Sequence, residues 1–252
     1  SGLRQMDFMW SDQVSIPQDM EEFVVEKVVR LPTSSLCFLP SRTLDLKPPT
    51  DSGLHPFRCG FLGKPEQISE PLLAAMQSIL VSISDAELVF SGLEYRDKAF
   101  QHELREKFSR TPDVTDRIRF ECFESDEAEL NSYQQLDVTL DPFLVSSPQR
   151  SFESLWMGVP VVTLLDKRMS ARGTASILQA LGSQHWIANS PSEYVNLVKQ
   201  LAESRDQWRS RRPQLRAALL ASPMCDAAAI AQSIQDAIKQ SIRQSPFAAT
   251  PT

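Results

Sequence analysis

The sequence predicts an α/β domain built on a mostly parallel sheet with helices on both faces. Three observations point there. From Phe57 onward, short β-like runs alternate with amphipathic helical runs. The spacing between successive β-like runs leaves room for crossover helices, so the units read as βαβ and not as hairpins. The run at 161–165 (VVTLL) is apolar but for its threonine and carries no charge, as a strand buried on both faces should be.

The first 56 residues carry weak periodicity and many prolines. Within them, residues 20–30 (MEEFVVEKVVR) read as a short helix stopped by Leu31-Pro32. Residues 40–56 contain Pro48-Pro49, Gly53 and Pro56 and read as a linker or extended crossover. A strand is expected at 57–62. A helix follows at 70–84, with Leu72, Leu73, Met76, Ile79, Leu80 and Ile83 along one side. Next come a strand at 87–92 (ELVFSG) and a charged helix at 97–110. Residues 117–123 (RIRFECF) alternate as a strand does. The pattern continues with helix 126–135, strand 137–140 (DVTL), helix 151–157, strand 161–165, helix 170–181 and strand 185–188. Helices near 191–203, 205–220 and 225–242 complete it. The tail, 243–252, ends SPFAATPT and reads as disordered. Right-handed crossovers wind this alternation into a Rossmann-like doubly wound sheet over residues 57–242.

Composition removes several classes of function. The 252 residues are 42% hydrophobic and 23% charged, ordinary for a globular protein with a buried core. The net charge of −6 argues against a nucleic-acid partner, which needs a basic face. No apolar run approaches the roughly 20 residues that span a bilayer. No basic segment followed by an apolar one opens the chain. The expectation is therefore a cytoplasmic protein with no membrane partner. Cys37, Cys59, Cys122 and Cys225 are far apart and form no C-x-x-C pair, so buried free thiols are expected. His55, His102 and His185 are too scattered for a metal cluster, and no metal is expected. The chain opens Ser-Gly, as a processed or expressed fragment would.

Ligands of such a sheet sit beyond the carboxyl ends of its strands. No G-x-G-x-x-G and no G-x-x-x-x-G-K-[ST] is present, which weakens nicotinamide, flavin and P-loop readings. The informative segment is LDPFLVSSPQRSFESLWMGVPVVTL. Ser146, Ser147, Gln149, Arg150 and Ser151 run into a helix N-terminus, where amide N–H groups, the helix dipole and a guanidinium would converge on a phosphate. Glu153 would accept hydrogen bonds from ribose hydroxyls. The plainer reading is that serines cap helices and an acid in the first turn suits the dipole.

That segment, followed by SARGTASILQALG, SEYVNLVKQLA and LRAALLASPMCD, resembles the protein O-GlcNAc transferase and SPINDLY family. Near the N-terminus, GLRQMDFMWSD and EKVVRLPTSSLCFLP resemble that family's segment joining its two catalytic lobes. The similarity runs in order over nearly the whole chain. It implies a GT-B glycosyltransferase architecture. Residues 1–56 would be the end of the N-terminal lobe and the inter-lobe linker, and 57–242 the nucleotide-sugar-binding lobe. It implies inverting, metal-independent transfer of a sugar, GlcNAc from UDP-GlcNAc, to Ser/Thr of proteins. The partners implied are a UDP-sugar, a protein acceptor, and upstream the rest of the first lobe and tetratricopeptide repeats. No cofactor is implied beyond the UDP-sugar as donor substrate. The acceptor-side histidines of the family belong to the missing lobe, so the fragment alone is expected to lack turnover.

The departures fall on functional positions. The family's threonine-rich loop reads Ser147-Pro148-Gln149-Arg150 here, and proline has no N–H to donate. Arg150 offers charge instead. The family's phosphate-facing lysine aligns with Gln67 in FLGKPEQIS; Lys64, three residues earlier, substitutes only if the loop shifts. Asp126 and Glu129 stand where basic and imidazole groups are usual, the wrong sign beside a diphosphate. The donor-binding set implied is Ser147, Gln149, Arg150, Ser151 and Glu153, with Arg150, Lys64 and Gln67 as the groups that act on the leaving diphosphate. The alternative is a degenerate relative serving as a non-enzymatic binding or scaffold module. Arg172 reads as a surface helix arginine, and Trp156 and Met157 as core. Arg205, Arg209, Arg211, Arg212 and Arg216 read as a solvated basic stripe. His55 and His102 are expected in solvent without partners, and His185 at a strand start.

Overall fold

The computed structural model describes residues 2–40, 55–108 and 114–244. Six strands form one parallel sheet: β3 (Phe57–Phe61), β4 (Ala86–Ser91), β5 (Ile118–Glu121), β6 (Val138–Leu140), β7 (Val161–Leu164) and β8 (Ile187–Ala188). Their spatial order is β5-β4-β3-β6-β7-β8, every neighbouring pair parallel. The order reverses between β3 and β6, where Cys59 faces Val138 and Gly60 faces Thr139. This is the doubly wound topology with its switch point at the centre of the sheet.

Helices cover both faces. They are α1 (Glu70–Ser82), α2 (Lys98–Phe108), α3 (Asp126–Ser132), α4 (Pro148–Trp156), α5 (Gly173–Ala180), α6 (Pro191–Glu203), α7 (Arg205–Ser210), α8 (Arg212–Leu220) and α9 (Ala227–Gln244). Helix α1 starts because Ser69 caps it, accepting from the Leu72 N–H, and Pro71 tolerates the first turn. It buries Leu72, Met76, Ile79 and Leu80. The core continues through Phe61, Phe90, Tyr95 and Phe108, with Phe90 stacked on Phe120 at 5.5 Å between centroids. Trp156 and Met157 are buried, as expected.

Gly158 explains the Met-Gly-Val-Pro step. It ends α4 with φ +74°, a left-handed conformation that L side chains avoid. The Val159 N–H returns to the Ser154 carbonyl at 2.8 Å, and β7 begins two residues later. A Cβ on Gly158 would lie 2.6 Å from the Arg212 carbonyl oxygen, so the site also depends on close approach of α8.

Several expectations need correction. Residues 20–30 are not a helix. A short 3-10 helix spans Gln18–Phe23, and Lys27–Arg30 forms strand β2, parallel to β1 (Phe8–Ser11). Four valines at 24, 25, 28 and 29 favour extended backbone. Helix α4 begins at Pro148 and not at 151, because proline fits the first turn, where its missing N–H costs nothing. The 205–220 helix breaks at Arg211 into α7 and α8. Helix α9 reaches Gln244; the rest of the expected tail, and residues 41–54 of the expected linker, lie outside the described residues.

The arginine stripe is also no solvated face. Arg209 grips Asp137 with Nε at 2.7 Å and Nη2 at 3.1 Å, and Arg205 pairs with Asp85. Arg212 is buried and donates to the Gln134 and Leu136 carbonyls. Arg211 and Arg216 lie over the rings of Trp208 and Trp156. His55 has partners after all, the Pro56 carbonyl and Arg209 Nη2. His102 is exposed beside Glu106, and His185 is exposed against Trp186 and Trp208. Arg172 is half-buried; it donates to the Val14 and Asp166 carbonyls, both at 2.6 Å, and so fastens the N-terminal segment beside α5. All four cysteines are free, with Cys59 buried, Cys122 and Cys225 half-buried and Cys37 exposed. No described helix is long and apolar enough to cross a membrane.

Candidate functional site

The site lies at the carboxyl ends of β3 and β6, where two loops meet across the switch point. The loop after β3 carries Lys64 and Gln67; the loop after β6 runs from Asp141 to Ser147 and enters α4. Gln67 joins them. Its Nε2 donates to the Val145 carbonyl at 2.9 Å and to Ser147 Oγ at 3.2 Å, while its Oε1 accepts from the Lys64 N–H at 2.8 Å. Lys64 is exposed, and its side chain is not drawn into the group around Arg150.

The anion cradle has fewer donors than the sequence suggested. Pro148 has no N–H, the Ser147 N–H is taken by Asp141 Oδ1 at 2.9 Å, and the Ser151 N–H bonds the Ser147 carbonyl. The first-turn positions left are Gln149 and Arg150. Ser151 turns its hydroxyl to Thr174 Oγ1 at 2.8 Å, binding α4 to α5. The two helices approach closely: a Cβ on Gly173 would meet Pro148 Cγ at 2.6 Å and Ser146 Oγ at 3.0 Å. Ser146 is buried, its Oγ donating to the Ser170 carbonyl and accepting from the Gly173 N–H.

One turn into α4 the polar side chains converge. Arg150 Nη1 donates to Glu153 Oε2 and its Nη2 contacts Glu129 Oε1, both at 3.0 Å. Glu153 also accepts from Tyr133 Oη at 2.9 Å and from Gln149 Nε2 at 3.0 Å. Burial works against the charge on Arg150, but Tyr133, Glu153 and Glu129 more than offset it and hold the guanidinium above its ordinary value. Burial, reinforced by the Glu153 carboxylate, pushes the Tyr133 phenol well up, so it stays a donor. A cleft of about 260 Å³ opens beside this group, between Gly92, Leu93, Glu94, Phe123, Asp126 and Arg150. A second, much smaller depression lies on the other side of Arg150, at the switch point itself, against Gly63, Asp141, Ser147 and Ser151. Asp126 is exposed in the first turn of α3, where its charge suits the helix dipole.

Three contributors escaped the sequence reading. Asp141 is buried at the end of β6, where it accepts from the Ser147 N–H and from Thr163 Oγ1 at 2.7 Å. Burial raises its carboxyl to about 7, against hydrogen bonds from Ser147, Thr163 and Thr174 that pull it down. An acid directly after an apolar strand was the available signal. Tyr133 and Thr174 carried none, since each is an ordinary core or helix residue until folding sets it against Glu153 or Ser151.

A six-stranded doubly wound parallel sheet with helices on both faces is the fold of a GT-B glycosyltransferase lobe. Solved structures share the fold. A mutant of the Thermobaculum terrenum O-GlcNAc transferase matches with TM-score 0.88 at 24% identity, covering 98% of this chain and 47% of that one. WaaG, a glycosyltransferase involved in lipopolysaccharide biosynthesis, matches at TM-score 0.59 and 15% identity, covering 95% of this chain and 62% of that one. The chain belongs to glycosyl transferase family 41, whose model matches residues 77–234. Among sequence relatives, the probable UDP-N-acetylglucosamine–peptide N-acetylglucosaminyltransferase SPINDLY of Petunia hybrida is 27% identical over 97% of this chain. Its counterpart from Oryza sativa subsp. japonica is 28% identical over 97%. The chain spans about a quarter of the length of these relatives, 26% in each case.

Proposed function

We propose that this chain is the donor-binding lobe of a glycosyltransferase that moves GlcNAc from UDP-GlcNAc to Ser/Thr hydroxyls of proteins. The observation that carries the reading is the meeting of Gln149, Arg150 and Glu153 on the first turns of α4, beside a cleft beyond the carboxyl ends of β4 and β5. The α4 N-terminus and Arg150 would stabilise the charge that grows on the leaving diphosphate, with Lys64 at the rim and Gln67 holding the loops together. Glu153 would accept from the ribose hydroxyls. The chemistry is electrostatic, inverting and independent of metal. Family membership and the names of the SPINDLY relatives support donor and acceptor, and the parent protein would supply the other lobe and tetratricopeptide repeats. The reading places the protein in the cytoplasm.

A second reading rests on one specific observation: Arg150 and Gln149 spend their bonds on Glu153, so the loop donors partly fill their own site. On that reading the fold serves as a binding module without turnover. Calorimetry of UDP and UDP-GlcNAc with this chain separates the two. Micromolar binding that falls roughly ten- to hundredfold in Glu153→Gln supports the donor site, the loss expected for a hydrogen bond to a charged group. Absence of binding at millimolar nucleotide favours the module.

A further inference from the structure

Arg150 is the one residue that lines both the 260 Å³ cleft and the depression at the switch point, and among the described residues it is the one cation lining either. Arg150 is thus the partition between them. It is fixed there by two carboxylates on different elements, Glu129 on α3 and Glu153 on α4. Its side chain nevertheless keeps 34% of its surface, so a ligand in the cleft can reach it.

We infer that Arg150 is a specificity-determining residue that admits ligands by counter-ion exchange. An entering diphosphate takes over the guanidinium from Glu129, and the partition swings so that the two cavities become one groove running from α3 to the end of β6. Glu153 keeps its bonds from Tyr133 and Gln149 and has the Oε2 lone pair vacated by Arg150 free for a hydroxyl of the ligand. The exchange selects for charge. A neutral ligand offers the guanidinium nothing in place of Glu129, whereas a diphosphate presents several charged oxygens to a donor fork built for paired acceptors. Glu129 is then a built-in competitor. Its negative charge, the wrong sign for a diphosphate neighbour, sets how strongly a ligand must bind to displace it. The inference deepens the donor-site reading and rests on it for the nucleotide, but not for the anion.

The test uses inorganic pyrophosphate, UDP and uridine, titrated calorimetrically at low salt into the chain and into Glu129→Gln and Arg150→Met. Removal of the competitor in Glu129→Gln should tighten pyrophosphate and UDP by roughly tenfold, and Arg150→Met should weaken both by at least as much. Uridine should respond to neither substitution. Added salt should erode the gain in Glu129→Gln, since the charges are partly exposed. In the unaltered chain, the Arg150 guanidinium resonance, assigned by its loss in Arg150→Met, should shift when pyrophosphate is added. That readout holds even if Glu129→Gln folds poorly. Pyrophosphate affinities equal in all three chains, pyrophosphate binding to none, or an unmoved Arg150 resonance would each overturn the exchange. Pyrophosphate following the expected pattern while UDP binds no tighter than pyrophosphate would leave the exchange standing and remove the nucleotide-donor reading.

Discussion

Two arginine–carboxylate groups sit at opposite ends of the same sheet and are built to opposite ends. Near the amino ends of the strands, Asp137 is almost fully buried, with 2% of its side chain exposed. It accepts two bonds from Arg209 and one from the Arg58 N–H, while Arg212 lies 3.8 Å away with its own carbonyl partners. At the carboxyl ends, Arg150 faces Glu129 and Glu153 with a third of its side chain exposed and a cavity on either side. The chemistry is the same and the surroundings differ. A pair whose acid is sealed from water is a brace that ties α7 and α8 to the sheet. A pair open to a cleft holds a charge where a ligand can use it.

The largest expected effect breaks the brace. Asp137→Ala leaves the buried Arg212 and the half-buried Arg209 facing a lost carboxylate, and removing one partner of a buried pair costs about 3–5 kcal/mol. Urea denaturation of the variant should show a loss of that size, with no change in pyrophosphate affinity in whatever fraction stays folded. A loss below about 1 kcal/mol would mean that water reaches the Arg209 end and that the two groups are alike.

The next effect comes from Asp141, which stands between the two regions at the floor of the site. Its carboxyl sits near 7 in the folded chain and near the ordinary carboxylate value when unfolded, so folding takes up a proton between those limits. Stability from this group is full below about pH 4 and is lost as pH rises towards 7, by at most about 1.4 kcal/mol per pH unit, and it changes no further above that. The stability of Asp141→Asn minus that of the parent should therefore rise from pH 4 to 7 and then level off. A difference flat across that window would show that Asp141 is charged throughout, its bonds from Ser147 and Thr163 outweighing burial.

The brace and the site were not equally legible in the sequence. The βαβ alternation gave the sheet because periodicity is a local signal, and Gly158 was visible in the Met-Gly-Val-Pro step before its contact with α8 was known. Strand β2 was misread because a valine-rich run of four residues fits either period until its partner β1 is placed. Arg150 and Glu153 stood out by their place at a helix start. Their fate did not, since it depends on Glu129 and Tyr133, which lie 21 and 17 residues before Arg150 and reach Arg150 and Glu153 only once the chain is folded. The arginines of α7 and α8 were taken for a solvated face for the same reason. Charge spacing along a helix says nothing of an acid, such as Asp137, buried beneath it.

The smallest expected effect sharpens the comparison from the other side. Arg150→Met removes a cation with two carboxylate partners, one more acid than the brace holds in Asp137, yet the loss of stability should be about 1 kcal/mol or less. Glu153 keeps the Tyr133 hydroxyl and Gln149 amide as donors, so no buried carboxylate is left bare. Glu129 keeps 17% of its side-chain surface, and its Oε1, buried beside the guanidinium, is opened to water from the cleft once the guanidinium is gone. The methionine stem replaces the packing of the arginine stem, which is the other contribution an arginine makes. What remains is a half-exposed ion pair, worth little because water and salt already screen it. The two remaining acids, Glu129 and Glu153, would then repel one another without the cation between them, so the variant should gain stability with added salt where the parent does not. Measured side by side in urea, Arg150→Met should unfold close to the parent and Asp137→Ala far below it. Equal losses would make Arg150 a brace like Arg209, and a guanidinium so firmly committed to holding the fold could not be surrendered to a ligand.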